Sequence, residues 1–184
     1  MRIDALEERV EVLDRLDDEA VVLCPLALDA RPAPGLAACV DWRSGGALAR
    51  AFEADETLGH LGVVRPFPHR SFGRVRVLTV GHGSGPVEAE LGLLAASLDD
   101  ALATLAPAPS CVFASWPLRL AHDQTCAERW LAPFVERCAS TRLCLVGRPS
   151  EVEGIVNLLL AAERRLLGKS APFSFPWPVG SENS

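Results

Sequence analysis

Hydrophobic positions along this chain fall into two patterns: short unbroken apolar runs, and longer stripes at helical spacing. The runs Val21–Leu28, Val75–Val80, Cys111–Ala114 and Leu143–Val146 have the character of strands buried on both faces. Pro25 inside the first run implies a bulge or an edge position, because proline has no N–H for a ladder. A further short strand is read between His60 and Phe67. From Asp4 to Asp18, Leu6, Val10, Leu13 and Leu16 recur as one face of an amphipathic helix. Leu36 to Ala54 reads as a helix with either a break or a tight packing contact at Gly45-Gly46, because paired glycines are costly inside a helix. Leu91, Leu94, Leu98, Leu102 and Leu105 form the core stripe of a long helix opened by Pro86, where a missing N–H costs nothing. Thr125-Cys-Ala-Glu128 and Ser150-Glu-Val-Glu153 have the form of capping boxes that open two more helices. The first of these buries Trp130, Leu131, Phe134, Val135 and Cys138; the second runs to Leu167.

Strands that alternate with amphipathic helices imply an α/β domain, three layers deep, around a mixed and mostly parallel sheet. Residues 1–167 make this single domain, and residues 168–184 are a tail of different character. The tail sets Phe173, Phe175 and Trp177 among prolines. Those rings either fold back onto the domain or serve as an interaction segment.

Composition narrows the class. A 49% hydrophobic and 23% charged chain can fill a core. The net charge of −6 gives no overall attraction to nucleic acid, so none is expected as a partner. Arg65, His69, Arg70, Arg74 and Arg76 form a local basic patch, read either as a solvated face or as a phosphate site. No apolar run reaches membrane-span length and the N-terminus has no secretory pattern, so a cytoplasmic setting is expected. The six cysteines include no C-x-x-C pair and sit mostly in apolar stretches, as buried reduced thiols do.

Chemical motifs are few. Gly81-His82-Gly83-Ser84-Gly85 lies between a strand and a helix start, where free N–H groups suit an anion. Its spacing is neither dinucleotide fingerprint nor P-loop, and the alternative is a plain tight turn. His122-Asp123 is the nearest thing to a metal pair, but the other histidines are scattered, so no metal or cofactor is expected. Asp123 is equally placed to cap a helix. Ser115-Trp116-Pro117 follows a strand end, where open α/β sheets bind ligands. Nucleophile sets meet in space rather than in sequence, which leaves a Cys–His or Ser–His–Asp set open; no G-x-S-x-G elbow is present. Asp41-Trp42-Arg43 reads physically as a core tryptophan flanked by a local ion pair.

The same tripeptide carries a family signal. Arg31-Pro32, Gly35, Val40-Asp41-Trp42-Arg43, Gly46 and Leu48 to Arg50, followed by Arg76-Val-Leu-Thr-Val-Gly-His-Gly83, resemble the N-terminal domain of M17 leucyl aminopeptidases. The resemblance covers Glu19 to Leu105 and, beyond that, only the order of elements. It implies a macro-like α/β/α fold. In complete enzymes that domain precedes a catalytic domain holding two metal ions and helps to build and regulate a hexamer. The Asn-Thr-Asp-Ala-Glu-Gly-Arg motif of the catalytic domain does not occur in this chain, so no catalytic residue carries over.

The resemblance implies a stand-alone, non-catalytic domain that acts in oligomerisation, scaffolding or regulation. Its partner would be itself or another protein, a full-length aminopeptidase among the candidates. The alternatives are a module that binds nucleotide or ADP-ribose through Gly81–Gly85, and an undetected hydrolase. The purified chain is expected not to hydrolyse a leucyl amide, with or without added divalent metal, because a two-metal mechanism needs ligands that make its nucleophile. Turnover by protein free of contaminating peptidase contradicts this.

Overall fold

The computed structural model describes residues 1–29, 34–83, 91–103, 105, 109–116, 123–138, 140–168 and, as backbone, 173–174. Among these residues, seven strands make one sheet: β1 (Arg2–Glu7), β2 (Val21–Leu26), β3 (Val64–Pro66), β4 (Arg76–Gly81), β5 (Cys111–Ala114), β6 (Arg142–Gly147) and β7 (Phe173–Ser174). Their order is β3-β4-β2-β5-β6-β1-β7. Every pairing is parallel except β3 with β4.

Among the described residues, five helices cover the sheet. They are α1 (Leu36–Arg43), α2 (Ala47–Ala54), α3 (Leu91–Ala103), α4 (Gln124–Arg137) and α5 (Pro149–Leu167). Alternate strand residues enter two separate cores. Val21, Leu23, Val112, Ala114, Leu143 and Leu145 pack with α3, α4 and α5. Val22, Cys24, Cys111, Phe113, Cys144 and Val146 pack with α1 and α2. Burial on both faces is why the central strands read as continuous apolar runs. The architecture is the expected three-layer α/β/α, with β2 ending at Leu26 rather than Leu28.

The N-terminus departs from the sequence reading. Arg2–Glu7 is a strand, and only Val10–Arg15 is helical, as a 3-10 turn that buries Val12 and Leu13. Tertiary pairing overrides the local periodicity here. β1 runs in register with β6 from Arg2–Arg142 to Glu7–Gly147, which buries Ile3 and Ala5 under α5. Asp4 is buried too, and bonds to Arg2 at 2.9 Å with Arg142 at 3.7 Å. The Met1 ammonium sits 3.0 Å from Glu163 on α5, whose side chain is buried.

Pro25 occupies an interior strand, not an edge or a bulge. Ala20 and Leu26 accept from Arg76 and His82 of the β4 segment, so even-numbered residues face β4. The Pro25 nitrogen therefore faces the β5 side, where pairing has already stopped at Leu23–Ala114. The helix starts also differ from the capping boxes. Asp123, not Thr125, caps α4 by accepting from the Cys126 N–H at 2.9 Å. α5 starts at Pro149 after an extended Arg148, one residue before Ser150, and no side chain caps it. The break at Gly45-Gly46 is present; both residues have positive φ, 64° and 78°. Pro86 lies outside the described residues. In the tail, the backbone of Phe173–Ser174 pairs with Ile3–Asp4 of β1, while Phe175 and Trp177 lie outside the described residues. No helix among the described residues is long and apolar enough to cross a membrane.

Gly81 marks the tightest backbone approach. A Cβ there would lie 2.0 Å from the His60 carbonyl oxygen. Gly81→Ala is expected to cost about 3 kcal/mol or more in chemical denaturation, since backbone would have to move. Gly92→Ala, exposed in α3 with nothing within 4 Å of the new methyl, should instead stabilise by about 0.5–1 kcal/mol. Equal effects at the two positions would refute the close approach.

Candidate functional site

Parallel strands joined by crossovers collect their carboxyl ends on one edge of the sheet, and ligands of open α/β sheets bind there. On that edge a cavity of about 200 Å³ opens where β1, β5 and β6 end. Glu8, Ser115, Trp116, Gly147 and Arg148 come from the strand ends, and Gly35 from the start of α1. The chain reaches this arrangement through two glycines. Gly147 has no room for a side chain, since a Cβ would lie 2.6 Å from Val152 Cγ2. Gly35 has φ 68° and ψ −142°, a conformation costly for any other residue.

Gly35 also leaves α1 without a side-chain cap. The first intrahelical bond is from the Cys39 N–H to the Gly35 carbonyl, so the N–H groups of Leu36, Ala37 and Ala38 have no intrahelical acceptor. α5 likewise starts uncapped at the cavity, with Ser150 N–H ahead of the first bonds to the Arg148 carbonyl. Two positive dipole ends thus converge on one space. Side-chain charge is mixed: Glu8 and Glu151 line the cavity with Arg148, whose guanidinium lies 3.8 Å from Glu151. Ser115 Oγ donates to the Val146 carbonyl at 2.8 Å, which leaves the hydroxyl oxygen as an acceptor. Trp116 is fixed against Trp130, with ring centroids 5.4 Å apart, and Trp130 against Phe134 at 4.9 Å.

Among the described residues the site supplies donors and acceptors but no activated nucleophile. The Cys39 thiol is pushed up to about 11, by burial first and then by the nearby Glu8 carboxylate. Burial also drives Cys24 upward. All six cysteines are free and buried. No described histidine lines the cavity. Among the described residues no group of three or more His, Cys, Asp or Glu is placed to hold a metal ion.

The glycine-rich turn is committed internally over its described part. The N–H groups of Gly81, His82 and Gly83 donate to the carbonyls of Val63, Leu26 and Gly59 at 2.7–2.8 Å. None is left for an anion, and Ser84 and Gly85 lie outside the described residues. Burial lowers His82 to about 4, so the imidazole is neutral at physiological pH. Because its folded value is depressed, its contribution to stability is complete above about pH 6.5 and is lost as pH falls toward 4.

Asp41-Trp42-Arg43 turns out to be joinery rather than core. Asp41 Oδ1 accepts from the Ala49 N–H at 2.8 Å, capping the first turn of α2 across the Gly45-Gly46 break. Arg43 pairs with Asp14 of the 3-10 turn, not with Asp41. Trp42 is 72% exposed, so the core-anchor reading is wrong. Sequence spacing gives the short-range Asp–Arg pairing first; the partners actually chosen are set by how α1 meets its neighbours. Arg31, Pro32, Pro117 and His122 lie outside the described residues. The cavity was foreshadowed only by Ser115-Trp116 and Gly35; Glu8 and Arg148 carry no local signal.

No protein-family model and no curated protein matches the chain. Solved structures do. A macrodomain protein from Streptomyces coelicolor is 17% identical, with a TM-score of 0.51, over 78% of this chain and 97% of that one. A structure described as alphavirus P23pro-zbd is 14% identical, with a TM-score of 0.50; the match covers 91% of this chain and 25% of that one. At these identities the likeness is one of fold, and the fold is macrodomain-like.

The motif geometry gives a direct test. Asp41→Ala should lower stability by about 1 kcal/mol through loss of the cap, whereas Trp42→Ala should change it by less than about 0.5 kcal/mol. A larger loss for Trp42→Ala in thermal or urea unfolding would place that ring in the core after all.

Proposed function

We propose that this chain is a non-catalytic, macro-like binding module for a small ligand that carries both phosphoryl and hydroxyl groups, in the class of ADP-ribose and related nucleotides. The observation that carries this reading is the convergence of two uncapped helix N-termini on the cavity at the carboxyl ends of β1, β5 and β6. Helix N-termini favour a phosphoryl group. Glu8, Glu151 and Ser115 Oγ supply acceptors for hydroxyl groups, which a bare anion would not use. The macrodomain-like fold supports the placement by analogy only. This is a different location from Gly81–Gly85, whose described N–H groups are consumed within the fold.

A second reading, association with itself or with a full-length aminopeptidase, draws on Trp42. An exposed tryptophan on an ordered helix is a typical interface anchor. Sedimentation velocity on the wild type and on Trp42→Ala bears on that reading.

For the ligand reading, calorimetric titration with ADP-ribose should show saturable one-site binding, weakened about tenfold by Arg148→Glu, an exposed position whose change spares the fold. Absence of heat and of thermal stabilisation at millimolar ADP-ribose contradicts the proposal.

A further inference from the structure

The antiparallel edge of the sheet carries a second cavity, remote in the strand order from β1, β5 and β6. Its volume is about 480 Å³, within the range of sites that hold small metabolites. It lies over β3 and β4, and its walls include Phe67, His69, Arg70, Gly73, Arg76 and Leu78. No acidic residue lines it, in a chain of net charge −6.

The basic groups are available. The Arg70 side chain is exposed and forms no ion pair or hydrogen bond with any described residue. Arg76 is half-buried, and among the described residues its guanidinium makes only a long hydrogen bond, 3.5 Å to the Glu19 carbonyl. His69 Nδ1 accepts from the Ser71 N–H at 3.3 Å, which leaves Nε2 as the ring's donor. The His69 ring lies parallel to Phe67, 5° between planes and 6.1 Å between centroids, and meets Phe72 edge-on. Both Phe67 and His69 are only half-buried, so an aromatic wall stands beside the two guanidinium groups. Gly73, in a turn with φ 57°, leaves the mouth open: a Cβ there would meet nothing within 4 Å.

We propose that this groove binds a small phosphomonoester with a planar ring, of the nucleoside monophosphate class, with the phosphoryl group on Arg70 and Arg76 and the ring against His69 and Phe67. Charge further out selects a small ligand over a polymer. Arg74 faces Asp18 at 3.9 Å, and Asp55 is close enough to Arg65 to be held below the usual carboxylate range, chiefly by Thr57 and in part by that arginine. These carboxylates offset the neighbouring arginines that a longer polyanion would need. The proposal is independent of the cavity at the carboxyl edge.

AMP, adenosine, inorganic phosphate and a single-stranded 12-mer oligonucleotide, titrated separately against the full chain, test it. AMP should bind at least about tenfold more tightly than adenosine or phosphate alone, because both halves of the site are used. Arg70→Glu should abolish the binding without lowering the melting temperature. His69→Asn keeps a capping acceptor for Ser71 but removes the ring, and should weaken AMP severalfold while leaving phosphate unchanged. AMP binding that survives Arg70→Glu but is lost in Arg148→Glu would assign the nucleotide to the carboxyl-edge cavity and overturn the groove. Tighter binding of the 12-mer than of AMP, or no AMP binding by the folded wild type, would overturn it as well.

Discussion

The constraint on which this structure depends is parallel pairing. Strands that run the same way cannot be joined by tight turns, so each connection must cross a face of the sheet. Here the crossovers carry α1 and α2 over one face and α3, α4 and α5 over the other. Two cores result, and each central strand contributes to both. The carboxyl ends are gathered on one edge, and the helices that follow begin there with their N–H groups pointing out of the sheet. The cavity between Gly35, Ser115 and Arg148 is a consequence of that topology before it is a matter of particular side chains.

β1 shows how far the constraint reaches into local structure. Ile3 and Ala5 are needed under α5, and β6 has an unpaired edge without them. Six ladder positions and a buried Asp4 held by Arg2 and Arg142 outweigh whatever helical preference Leu6, Val10, Leu13 and Leu16 express. The central strands were legible because burial on both faces writes itself as an apolar run. β1 was not, because its pattern is completed by residues about 140 positions away. Pro25 misled for a related reason. The rule against interior proline assumes that both sides of a strand are paired, and β5 is too short to reach it.

The site was less legible than the fold. Ser115 and Trp116 were readable as a strand end, and Gly35 as part of the motif around Asp41-Trp42-Arg43, but Glu8 and Arg148 enter only through space. The Gly81–Gly83 segment had the composition of an anion loop, yet its described N–H groups close the sheet edge against Gly59, Val63 and Leu26. Glycine there answers close packing against His60, not ligand approach. Asp41-Trp42-Arg43 illustrates the converse. Two of its residues fasten α1 to α2 and to the 3-10 turn, which gives the motif a structural role in this chain, whatever it binds.

Backbone amide chemical shifts measured during an ADP-ribose titration test the central claim most directly, because they locate a ligand residue by residue. The largest changes are expected on the amides of Leu36, Ala37, Ala38 and Ser150, the donors without intrahelical acceptors at the two helix starts. Changes concentrated on Gly81, His82 and Gly83, or a spectrum that does not move, would contradict it.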